Sequence, residues 1–134
     1  MRMATAKHQR RKIRKAAAAV VDLSSVRAQR RREHAEMRVR DAIDENRAAL
    51  ARLFATGLIF TQKGARAGRD LLLAHQALLR TADLFARLVE PSARDDAALK
   101  HRAEEVFAHL DAQLARTAQL TARTGEFLSG RGRD

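Results

Sequence analysis

Three groupings in this 134-residue sequence have residue types and spacings that chemistry uses. The first is Gly64-Ala65-Arg66-Ala67-Gly68-Arg69, a glycine-rich stretch with cations. A phosphate-cradling Walker loop needs four residues between its glycines, then Lys for the phosphates and a hydroxyl for magnesium. Here three residues separate the glycines and no Lys-Ser/Thr pair follows, so the stretch reads as a helix-helix turn or a close helix contact. The second grouping is His101, Glu105 and His109, which share one face of a helix at successive steps of four. Zinc takes about four such ligands, whereas only three are in sequence reach here and no HExxH pattern accompanies them, so no metal site is expected. The third is basic: Lys7, Arg10, Arg11, Lys12, Arg14 and Lys15, then Arg27, Arg30, Arg31 and Arg32. Dense cations of this kind suit phosphate backbones, where release of condensed counterions drives binding without base contacts.

Other chemistries find little support. There is no Cys, which removes disulfides, thiolate ligands and a Cys nucleophile. The serines are Ser24, Ser25, Ser92 and Ser129, and the first three lie near expected helix starts. Asp41, Asp44 and Glu45 cluster, but Arg38, Arg40 and Arg47 surround them at helical ion-pair spacing, the pattern of a solvated surface. The chain is therefore read as non-enzymatic, with no cofactor.

The net charge of +11 is unevenly placed. Residues 1–40 carry 13 basic and 3 acidic side chains, residues 41–134 carry 14 and 13, and the first acid is Asp22. A basic arm on a nearly neutral body follows, and nucleic acid is the leading partner. No aromatic residue precedes Phe54, which argues against a stacking platform for single strands, and no recognition motif is visible. Contact is thus expected at phosphates, with little sequence specificity. The alternative is an adaptor subunit whose arm docks on an acidic protein surface, with homo-oligomerisation open. A membrane surface ranks below both, because the amphipathic segment 9–24 offers mostly Ala beside Ile13, Val20 and Leu23. The apolar run 16–21 is far shorter than the ~20 residues of a membrane span. The acid-free, Arg- and Ala-rich residues 1–21 share their composition with mitochondrial presequences, but the default reading is a soluble cytoplasmic protein.

These groups must be positioned by helices. Ala, Leu, Arg and Glu dominate, and no β-branched alternation is sustained. Three stretches carry apolar residues at steps of three and four: Val39 to Phe60, Leu71 to Val89, and Leu99 to Phe127. The expectation is an all-α fold, an antiparallel up-down bundle of three long helices at about 25–62, 70–90 and 93–128, preceded by a partly helical arm at 1–24. The competitor is a two-helix antiparallel hairpin, since the apolar phase passes unbroken through Gly57, Phe60, Gly64, Ala67 and Leu71. Pro91 marks one break, with Ser92 expected to cap the next helix and Asp95 facing its positive end. Gly64 and Gly68 suggest the other break, with Asp70 as the following cap. Asn46 falls on the first seam between Ile43 and Leu50. Buried, it would fix register. The preferred reading places it at a solvated rim.

Overall fold

The structure, a computed structural model, describes residues 2–130, with side chains described from residue 23. All its regular elements are helical: α1 (Arg2–Ala55), a 3-10 turn (Leu58–Phe60), α2 (Gln62–Leu88), a second 3-10 turn (Pro91–Asp95) and α3 (Ala97–Ser129). No strand occurs among the described residues. The chain divides into two compact units, Met1–Ala35 and Glu36–Asp134. The first is the N-terminal part of α1. The second is a three-helix antiparallel bundle built from the rest of α1 with α2 and α3.

In the bundle, buried positions recur every seventh residue on each helix. They are Val39, Asn46 and Leu53 on α1; Gly64, Leu71, Leu78 and Phe85 on α2; and Ala103, Leu110, Thr117 and Thr124 on α3. Seven-residue spacing is close enough to two helical turns to keep these residues on one face. At one end Leu53, Leu71 and Leu128 form a buried cluster against which Leu50, Ile59, Leu120 and Phe127 pack. Toward the other end the rings of Phe85 and Phe107 meet at a centroid distance of 5.2 Å. The buried line on α3 is mostly small, so α3 approaches α2 closely. Its threonines satisfy their hydroxyls within their own helix, Thr117 donating to the Gln113 carbonyl at 3.0 Å and Thr124 to that of Leu120 at 2.8 Å.

Asn46 is buried, contrary to the solvated rim expected for it. Its Nδ2 donates to the Leu71 carbonyl across the α1–α2 interface at 2.7 Å, and its side chain is 0% exposed. Oδ1 has no hydrogen-bond partner. The seam phase decides the difference. With Val39 and Leu53 each seven residues away and fully buried, position 46 has no route to the rim.

The turn between the first two helices also corrects the sequence reading. α1 ends at Ala55 rather than near 62, and α2 begins at Gln62 rather than near 70. Gly57 takes the left-handed conformation (φ 74°), where an L side chain costs roughly 1–2 kcal/mol, and this break excludes the two-helix hairpin. Thr61, not Asp70, caps α2, its hydroxyl accepting from the Gly64 N–H at 3.0 Å and donating to the Leu58 carbonyl at 2.6 Å. Gly64 and Gly68 lie inside α2 and serve proximity. A Cβ at Gly64 would occupy the position of the Leu58 carbonyl oxygen, and one at Gly68 would meet the Ile59 side chain. The second break falls at Pro91 as expected, but the cap of α3 is Asp96, whose carboxylate accepts from the Leu99 N–H at 2.9 Å. Pro91 starts a 3-10 turn that contains Ser92 and delays the helix to Ala97, against the expected start near 93.

Two outcomes follow for stability, both read by urea denaturation. Gly64→Ala should lose about 3 kcal/mol because backbone has to move, whereas Gly125→Ala, with open space around its Cβ, should gain up to about 1 kcal/mol. Asn46→Asp should lose about 3 kcal/mol at neutral pH, where a buried carboxylate faces the Leu71 carbonyl. Burial raises that carboxyl above its ordinary value of about 3.9. The variant's deficit relative to the parent is then smallest below that value, where the acid can donate to Leu71, and grows as pH rises through the raised one.

Candidate nucleic-acid interface

Of the ten cations singled out by sequence, Lys7, Arg10, Arg11, Lys12, Arg14 and Lys15 have side chains outside the described residues, as do Ile13 and Val20 of the amphipathic segment. Arg27, Arg30, Arg31 and Arg32 lie on the described part of α1 in the first unit. Helical geometry sorts these four. At about 100° per residue, Arg27, Arg30 and Arg31 fall within an arc of about 100°. Arg32 points about 150° away from the middle of that arc. The first three are exposed. Arg32 is half-buried and its Nε is shielded from solvent without a hydrogen-bond partner. The structure thus groups three of the four and sets Arg32 apart.

His34 joins the same arc and is exposed, which the sequence reading did not note because it weighed histidines only as metal ligands. The nearest acid, Glu33, lies about 110° round the helix from the middle of the arc. It accepts a hydrogen bond from Gln29 Nε2 at 3.0 Å. Glu33 stands three residues after Arg30, at helical ion-pair spacing, and so borders the arc on that side. From Arg27 to His34 the helix advances about 10 Å, enough to meet three successive phosphates of one strand.

The other groupings separate. His101 pairs with Glu105 at 3.1 Å on an exposed face of α3, and no group of three His, Cys, Asp or Glu side chains able to hold a metal occurs among the described residues. Arg38, expected to pair with the local acids of α1, instead reaches Asp111 of α3 at 2.7 Å. Among the described residues no helix is long and apolar enough to cross a membrane. Leu23, the described end of the amphipathic segment, is 60% exposed.

Comparison with protein-family models, with curated proteins and with solved structures gives no match.

If the arc Arg27–His34 is the contact face, Arg30→Gln should weaken binding to a DNA duplex at low salt and reduce the salt slope by about one. Arg32→Gln should leave both nearly unchanged. Fluorescence anisotropy with a labelled duplex reads both.

Proposed function

We propose that the chain is a non-enzymatic helical binding protein whose basic N-terminal segment grips nucleic-acid phosphates with little sequence specificity, acting in the cytoplasm. The observation that carries this reading is the exposed face of Arg27, Arg30, Arg31 and His34 on a helix, with Glu33 at its edge beside Arg30. The sequence adds seven cations and no acid within the first fifteen residues. A regular helix presents such side chains at intervals of about 5–6 Å, and each one that meets a phosphate releases counterions. Nothing in this face discriminates bases, and phosphate contacts carry no direct sequence information. The near-neutral bundle supports the reading as a scaffold for the charged end.

Titration of binding against salt tests it. For the full chain, log affinity to DNA and RNA duplexes should fall linearly with log salt, with similar affinity for unrelated sequences. Arg27→Gln/Arg30→Gln/Arg31→Gln should reduce the slope by about two to three, and removal of residues 1–23 should flatten it further. Affinity that survives both changes sinks the proposal. Absence of binding to either nucleic acid would leave an acidic protein surface as the partner of the same cations.

A further inference from the structure

One flank of α2 carries an exposed, patterned row of side chains. Leu72 and Leu79 are 50% and 47% exposed, one heptad apart, on a flank of the helix about 100° round from the buried line Leu71, Leu78 and Phe85. Exposed Gln76 lies between them. Counting outward from Gln76, Leu72 stands four residues before and Leu79 three after. Exposed Arg69 stands seven before and exposed Asp83 seven after. Ala65 and Ala86, also exposed, stand eleven before and ten after. All lie on one flank of the helix, within an arc of about 100°, and Ala86 at its edge also lines the groove shared with Glu36, Arg40 and Ile43 of α1.

A stripe with this near-mirror order is complementary to itself when reversed. We propose that this face of α2 binds the same face of a second copy of the chain, antiparallel, about a two-fold axis passing beside Gln76. In that arrangement Leu72 lies level with Leu79 of the copy, to within about 1.5 Å of rise. Arg69 lies level with Asp83 of the copy, and the two alanines at the ends let the helices come close. Each contact occurs twice, as an isologous interface requires. The charge order is what selects a second copy over an unrelated helix. Antiparallel pairing matches Arg69 with Asp83, whereas parallel pairing would set Arg69 against Arg69 and Asp83 against Asp83. Asp83 already pairs with Arg87 of its own helix at 3.1 Å through Oδ2, an exposed pair that leaves Oδ1 to accept from Arg69 of the copy. The stripe extends about 30 Å, so the interface sits at the small end of specific contacts and the dimer is concentration-dependent.

The absence of Cys from the chain allows a direct test on the full-length protein. Gln76→Cys places its thiol beside its own symmetry mate, and under mild oxidation in moderate salt it should form a covalent dimer at least tenfold faster than the exposed control Gln119→Cys on α3. Sedimentation of the unmodified chain from micromolar to millimolar concentration should show a monomer–dimer equilibrium. Arg69→Asp and Asp83→Arg should each weaken it about tenfold, and the double swap should restore it. Leu79→Asp, at an exposed position that leaves the fold intact, should abolish it. A monomer at every concentration overturns the proposal. So does equal cross-linking at both cysteines, or a dimer indifferent to Leu79→Asp.

Discussion

One buried hydrogen bond sets the register of the bundle. The Asn46 amide, fully buried, reaches the Leu71 carbonyl, and a helix carbonyl already engaged within α2 accepts it as a second donor. Sliding α1 along α2 by a single residue would strand that amide in apolar surroundings, at a cost of about 1–3 kcal/mol. The seven-residue spacing on both helices carries this one registration outward. Val39 and Leu78 stand one heptad away on one side, and Leu53 and Gly64 one heptad away on the other. Leucines and alanines alone would pack nearly as well one turn out of place, because small, similar side chains discriminate poorly between registers. The amide specifies what the apolar residues only stabilise.

The same register explains why the chain between α1 and α2 is so tightly drawn. With Leu53 buried against Leu71 and Leu128, the link must reverse within a few residues and lie directly on the start of α2. Gly57 supplies the left-handed step, and the Leu58 carbonyl then lands where only a residue without Cβ can sit, at Gly64. Thr61 ties the two together through its hydroxyl. Register, turn and helix start form one connected constraint.

Much of this was legible in the sequence, and the errors have specific causes. The apolar seams and the break at Pro91 follow from periodicity and from the one proline, signals that need no tertiary context. Gly64 and Gly68 were legible as special but not as to why. A glycine that grants φ freedom and one that makes room for a neighbouring carbonyl look alike in sequence, and only the first makes a turn. Ser92 and Asp96 are both good caps four residues apart, and the 3-10 turn seeded by Pro91 chooses between them. Asn46 was visible as a seam residue, yet its burial depended on the phase of a seam read from only a few apolar positions. At the candidate interface the cations were plain from composition. Their division into a face and an outlier required knowing that residues 27–34 form unbroken helix, and His34 emerged only with that geometry.

The slender core has a thermal consequence. Alanine, threonine and glycine fill much of the buried line on α3 and the start of that on α2, so unfolding exposes little apolar surface for each residue released. Because the heat capacity of unfolding rises with exposed apolar area and falls with exposed polar area, this bundle has a small one for its length. Its unfolding enthalpy then changes slowly with temperature and its stability curve is shallow and broad. The stability of a register held by one amide and a few leucines accordingly changes little with temperature.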